Sequence, residues 1–430
     1  MSRPRIVILL LQKAMTALST LLFILILTPP VMAQEDPPPG RIQLGATLKF
    51  TYTYRERDAK TGVDGISEAG LNWVELDAYG DVGERAGFYI ELVGASGIYN
   101  DPVADEQKAI LLYPGELGAI GVRQARLDFY LGRGADSREP YSRFGLTLGT
   151  FMPGWGAYQD RHASDWEFAD LPLFYTHPAF HGIGWQNAGL NLTINPLSLL
   201  SNIYEGFYRG PEFRLFAVNG YFPGRSANAQ PEVAPGVFDH RLGYGVRGDY
   251  AVLLPERSGY LLRFFGGLYR EEWEEDRSRD GNLGTYQCQA WLAGAELRSS
   301  RFRLLFEYTE ILIADYQLMV DGSRDDLASV GAHLSAGVFV SRRLETLLRW
   351  EWIDPNTRNS SQTVAVSRYD QVTRWTLGLN YHLAPGITLM INYAMPREQG
   401  ARVNVREEKE GGRYQERDNN YLRVQVQISN

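Results

Sequence analysis

The sequence predicts an all-β protein, an antiparallel transmembrane β-barrel of about 16 strands with long extracellular loops and short periplasmic turns, and three observations carry that prediction. First, "RIQLGATLKFTYTY", residues 41–54, puts Ile42, Leu44, Ala46, Leu48, Phe50, Tyr52 and Tyr54 on one parity and mostly polar or small residues on the other. A strand in a soluble sandwich is usually about five or six residues long, whereas one that crosses a bilayer runs to about ten. Second, segments of this kind recur along the chain, joined alternately by short turns and long polar connections. Third, after the leader no apolar stretch is long enough for a spanning helix. The closed barrel is then the remaining structure that leaves no backbone group unpaired in lipid.

The chain opens on a segment with its own logic. Arg3, Arg5 and Lys13 form a basic stretch, residues 18–27 are an apolar run, and "VMA" at 31–33 presents small or branched residues at a cleavage position. Residues 1–33 are therefore expected to be a signal peptide, cleaved on export to the bacterial outer membrane. "QEDPPPG", residues 34–40, reads as an extended periplasmic spacer, and 41–430 as the barrel. Lys and Arg number 43 against 51 Asp and Glu, a net charge of −8, and the leader removes basic residues only. That balance argues against a nucleic-acid partner. Cys288 is the single cysteine, so no intrachain disulfide forms, and its strand-like surroundings favour a packed small residue.

After the opening strand, "NWVELDAYGDV" and "GFYIELVGASG" are joined by "GERA", a tight connection that implies an antiparallel hairpin. The series continues with "VRQARLDFYLG", "YSRFGLTLGTF", "QNAGLNLTI" and "GPEFRLFAVNG". "RLGYGVRGDYAVL" and "GYLLRFFGGLYR" follow, then "TYQCQAWLAGAELR" and "RFRLLFEYTEILI", then "ASVGAHLSAGVFV" and "RLETLLRWEWI". "RWTLGLNYHL", "GITLMINYAM" and "NYLRVQVQIS" complete it. The long connections are 55–70, 98–118, 151–185, 221–240, 271–284, 314–326, 354–370 and 397–418. Aromatics such as Tyr52, Tyr54, Phe302, Tyr308, Trp350, Trp352, Trp375, Tyr381 and Tyr393 lie near the ends of the apolar face, as in interfacial girdles.

The order "VRQARLDFYLG", "SRFGLTLGTFMPGWG", a long loop rich in Asp and aromatics, and finally "GITLMINYAMPREQG" with "NNYLRVQVQIS" resembles the porins typified by phosphate-selective porins O and P. The resemblance covers most of the mature chain in layout, through short motifs. It implies a sixteen-stranded barrel, generally a homotrimer, with an inward-folded third loop. Such proteins usually end in an aromatic residue, whereas Ile428 is the last apolar residue here, and the family's lysine and arginine ladder has no matched motif. Phosphate selectivity is therefore not carried over.

If the apolar parity meets lipid, the other parity lists a pore wall. Its cations are Lys49, Arg126, Arg143, Arg241, Arg247, Arg263, Arg301, Arg303, Arg343, Arg349, Arg374 and Arg423. Its acids are Glu75, Asp77, Glu91, Asp128, Asp249, Glu307, Glu345 and Glu351. A mildly basic wall is the expectation, with Lys49, Arg126, Arg143, Arg247, Arg301, Arg303 and Arg349 as the pore-lining candidates. Charges on the lipid side would cost about 2–4 kcal/mol each near the midplane. Opposite them, the segment 151–185 is the expected inward loop. It would pack Trp155, Phe168, Phe174 and Phe180 on the wall and present Asp160, Arg161, Asp165, Glu167 and Asp170, with Trp166 among its aromatics.

Chemistry finds little purchase. His333 and Ser335 share a strand face at a spacing resembling the His-x-Ser of outer-membrane phospholipases, but Leu334 and its parity hold the lipid side, which turns the pair inward. His162, His177 and His181 lie on one irregular loop at spacings that do not define a metal site. "DGSRDD" at 321–326 lacks the ligand spacing of a calcium loop. No enzyme activity, cofactor or metal is expected. The sequence points to passive diffusion of small hydrophilic solutes or ions, weakly anion-selective, in contact with outer-membrane lipids. The rival readings are a sugar or anion facilitator with Trp155, Tyr158, Trp166 and Phe168 as its track, a non-conducting adhesion barrel, and a barrel hydrolase.

Overall fold

A computed structural model describes residues 42–55, 67–82, 86–94, 120–131, 144–158, 165–176, 187–195, 208–218, 242–253, 261–276, 283–318, 324–354, 357, 371–399 and 420–429. All of them fall within one compact unit, Gly40–Ser429. The leader and the spacer at 34–40 lie outside the described residues, as do Arg143, Asp160, Arg161, His162, His177, Phe180, His181 and Arg241.

The strands follow the sequence segments. β1 (Gln43–Arg55) is followed by β2 (Ser67–Asp81), β3 (Ala86–Gly94), β4 (Ile120–Leu131) and β5 (Phe144–Phe151). A one-turn helix, α1 (Leu173–Thr176), precedes β6 (Asn187–Ile194), β7 (Tyr208–Val218) and β8 (Gly243–Leu253). Then come β9 (Leu261–Asp276), β10 (Leu283–Arg298), β11 (Phe302–Leu318), β12 (Arg324–Phe339) and β13 (Leu344–Asp354). β14 (Gln371–Ala384), β15 (Ile387–Gln399) and β16 (Tyr421–Ser429) complete the wall. Each strand pairs antiparallel with its sequence neighbours, and β1 pairs with β16, so the barrel closes. Closure removes the unpaired edges that an open sheet would expose.

Strand parity separates two environments, as the opening segment predicts. Leu44 is 72% and Leu268 47% exposed on the outside, whereas Glu307 and Arg349 on the inside are wholly buried. The outer face is what lipid tolerates, and the inner face is where charge is placed. At the β14–β15 turn, Gly386 takes φ +74°, and a Cβ there would collide with the Ser429 carbonyl that lies beside it. Gly386 O in turn accepts the Ser429 N–H at 2.8 Å, tying this turn to the last strand.

Two expectations are corrected. β9 runs on to Asp276 and β10 begins at Leu283, so most of the connection expected at 271–284 is strand. Likewise β11 continues to Leu318. These extensions carry polar residues, including an Arg270–Glu272 pair at 3.2 Å, and the backbone ladder rather than an apolar face sustains them. Second, the register slips between Glu91 and Leu92, whose partners are Gln124 and Val122. Arg123 is the extra residue of this bulge, and simple alternation does not anticipate where it points.

Candidate functional site

The functional site is the inner wall together with the segment that follows β5. Residues 151–158 and 165–175 pack against inward-facing residues from β8 round through the closing seam to β2, and nearly all of them are buried. Trp155 lies against Gly267 and meets the Tyr269 ring edge-on at 6.4 Å. Arg247 on β8 donates to the Gly156 carbonyl at 3.1 Å, and Glu307 on β11 accepts the Ala157 N–H at 2.6 Å. Gly156 has φ +101°, and a side chain there would strike the Tyr175 hydroxyl, so the close approach of the two loop arms requires glycine.

The second arm is held on β11 to β16. The Tyr175 hydroxyl donates to Glu307, and Glu351 accepts the Leu173 N–H at 2.6 Å. Arg349 donates to the Asp170 carbonyl at 2.8 Å, and Arg374 to the Leu171 carbonyl at 3.0 Å. The Asp170 carboxylate accepts the Tyr421 hydroxyl at 3.0 Å and pairs with Arg423. Asn392 accepts the Ala169 N–H at 2.9 Å, and Asn380 donates to the Glu167 carbonyl at 2.8 Å. Glu167 also pairs with Arg303 at 3.3 Å. A buried loop has backbone groups that water cannot reach, and the charged and amide side chains of the wall satisfy them.

Across the seam, Trp166 packs on Trp73 with ring centroids 5.4 Å apart, and the Lys49 ammonium lies 4.0 Å over the Trp166 ring. Phe168 lies under the Arg349 guanidinium at 4.4 Å. Phe174 and Tyr158 sit beside the ring of His333, which is 3.5 Å from Glu307. His333 and Ser335 both face inward and are buried, while Leu334 faces out. Burial, and then the charge of Glu307, push the Tyr175 phenol well above its ordinary pKa.

The residues singled out from sequence therefore divide. Lys49, Arg247 and Arg349 are on the inner wall but lie beneath the loop, with at most 2% of their surface exposed. Arg303 is shared between Glu345 and Glu167. Arg126 is on the open wall. Arg301 is not a wall residue: it lies in the short turn between β10 and β11, exposed beyond the strand ends. In the loop, Trp155, Trp166 and Asp170 face the wall, and Asp165 is exposed.

Among the described residues no loop hydrogen bond or ion pair reaches the inner wall from β3 to β7, although Val93 on β3 and Phe216 and Val218 on β7 are buried in the same apolar cluster as Trp155. Arg126 pairs with Asp128 at 3.2 Å, and Arg214 with Glu212 at 2.7 Å; their guanidinium-bearing side chains remain 32% and 22% exposed. Between these pairs stand Thr147, which donates to Asp128 at 2.7 Å, and Asn191 with Thr193. Arg123, turned inward by the bulge, bonds Glu91 at 2.6 Å and Glu75 at 3.4 Å. Sequence reasoning passed over Arg214 and Glu212 although their parity marks them, and passed over Arg123 because only the observed register reveals it.

This closed barrel with an inward segment has the architecture of outer-membrane channel proteins. No family model and no curated relative matches the sequence. Solved structures do. The chain is similar to the outer membrane channel DcaP of Acinetobacter baumannii, with TM-score 0.55 and 13% identity over 93% of this chain and 100% of that one. Salmonella typhi OmpF gives TM-score 0.54 and 10% identity over 90% and 97%. Pseudomonas putida OprB gives 0.53 and 12% over 90% and 94%. At these identities the likeness is one of fold.

Proposed function

We propose that the protein is an outer-membrane porin through which small hydrophilic solutes or ions diffuse passively, working as a homotrimer. The observation that carries this reading is the one-sided packing of the loop. It is hydrogen-bonded to the wall from β8 round to β2, and the remaining arc is lined by Arg126, Asp128, Thr147, Asn191, Glu212 and Arg214, with the arginine side chains part-exposed. A path between loop and arc would be walled on one side by hydroxyls, amides and paired charges, groups that replace water's hydrogen bonds for a polar solute. Trimeric assembly rests on the sequence resemblance, which is not extended to phosphate selectivity.

Charges on the arc come in opposite-sign pairs, and the buried arginines Arg247, Arg349 and Arg374 are engaged by loop carbonyls. That supports weak ion selectivity rather than a marked preference for anions. The test is single-channel conductance of the refolded chain in a planar bilayer, with reversal potential under a salt gradient. Open steps with a small reversal potential support the porin. The depth of loop packing favours a second reading, a barrel plugged for adhesion, and silence from a folded, heat-modifiable barrel would select it.

A further inference from the structure

Two neighbouring short turns are built alike. Between β10 and β11, Ser299 Oγ accepts the backbone N–H groups of Arg301 and Phe302 at 3.1 and 3.0 Å. Between β12 and β13, Ser341 Oγ accepts those of Arg343 and Leu344 at 3.2 and 3.1 Å. In each, the carbonyl of the arginine accepts an N–H from the end of the adjoining strand: Phe339 N to Arg301 O and His382 N to Arg343 O, both 2.8 Å. The turns are thereby fixed, and each holds an arginine at its third position.

Arg298, Arg301, Arg342 and Arg343 are exposed on this rim, and none has a side-chain hydrogen bond or ion pair among the described residues. Other arginines whose side chains are described are engaged, including Arg303 with Glu345 at 2.5 Å and Arg263 with Asp249 and Glu296. The acids nearest the rim are thus already committed. The apolar belt ends at the same level, with Val338 52% and Val340 64% exposed on the outward parity. A cavity of about 370 Å³ beside the first turn is lined by Leu261, Arg298, Ser299, Ser300, Arg303 and Phe339.

We propose that this rim binds the anionic headgroups of phospholipids in the leaflet that meets the short turns. The inference rests on the reading of the barrel as membrane-embedded. Unpaired guanidinium groups at the edge of an apolar belt sit at headgroup height, where an anionic surface attracts each basic residue. Their planar forks match phosphate oxygens in pairs. A zwitterionic ethanolamine lipid brings its own cation and relieves less of the mutual repulsion among these arginines.

The test inserts the full chain into vesicles of phosphatidylethanolamine, with and without phosphatidylglycerol, and follows the thermal midpoint of the compact band on a gel. The expected result is a midpoint raised by phosphatidylglycerol, with the gain suppressed by salt and mostly lost in R298Q/R301Q/R342Q/R343Q. Lysine at the same positions should restore part of it, and R397Q on the opposite rim should leave it intact. An unchanged midpoint in phosphatidylglycerol, or an equal gain in the glutamine variant, overturns the inference. Inorganic phosphate reproducing the gain in phosphatidylethanolamine vesicles also overturns it, in favour of a soluble anion. Failure to insert into either vesicle would instead overturn the membrane reading beneath it.

Discussion

The Tyr175 hydroxyl donates to both carboxylate oxygens of Glu307, at 3.0 and 3.1 Å, and so joins the end of the inward loop to the middle of β11. The same hydroxyl accepts the Tyr158 N–H at 3.2 Å, and the same carboxylate accepts the Ala157 N–H. One contact thus locks both arms of the loop to each other and to the wall.

Tyr175→Phe leaves Glu307 with fewer donors, and a loss of about 1–3 kcal/mol is expected, the cost of an unsatisfied buried acceptor. An alkaline signature accompanies it. The folded state keeps the Tyr175 proton because burial and Glu307 raise its pKa, whereas the unfolded chain releases it near the ordinary value of about 10. The unfolded state therefore binds fewer protons above that pH, and stability falls as pH rises, by about 1.4 kcal/mol per unit. Unfolding midpoints of the two proteins in alkaline buffers should converge as pH increases. Parallel curves would disprove the pairing.

Asp170 is the loop's counterpart anchor to the closing strand, held by Tyr421 and Arg423 of β16. Asp170→Ala strands a buried guanidinium, and breaking such a pair costs about 3–5 kcal/mol. The gel midpoint of the folded barrel should drop accordingly, and bilayer recordings should show noisier open levels as the loop detaches. Asp170→Asn, which keeps an acceptor for Tyr421, should be milder.

Trp166 fills the space between Lys49 and Trp73 at the seam of β1 and β2. Trp166→Ala is expected to lose about 3–5 kcal/mol through the cavity it leaves. The open conductance should also rise, because the loop loses its anchor on that side. A stable variant of unchanged conductance would show that the seam contact is incidental.

Reversal potential separates the wall's cations. Arg126→Glu with Arg214→Glu puts negative charge on the uncovered arc and should move selectivity toward cations. A unit charge at about 4 Å in water is worth about 1 kcal/mol, a factor of about five in ion preference. Arg301→Glu, beyond the strand ends, should shift it far less. Arg247→Gln should lower stability, since its guanidinium bonds the Gly156 carbonyl and Asp249 from a wholly buried position. An equal shift from Arg301 would place the narrow point at the short-turn rim.

The barrel was legible in the sequence because a strand's two faces alternate residue by residue. Lipid on one side and polar groups on the other force Leu44, Leu48, Leu268 and Leu377 onto one parity, and Lys49, Glu307 and Arg374 onto the other. The segment after β5 stood out in the sequence through its length and aromatic content, which an exposed connection has no use for. What Lys49, Arg247 and Arg349 do was not legible, because parity says only that a side chain faces inward and not what covers it. Only the tertiary structure brings the Gly156, Asp170 and Leu171 carbonyls onto those wall arginines, which turns expected pore charges into anchors. It likewise decided Arg123, through one bulged residue, and Arg301, through the turn that ends a strand short of it. Alternation is a local rule, whereas coverage joins residues 91 to 203 positions apart and register depends on how a strand pairs with its neighbour.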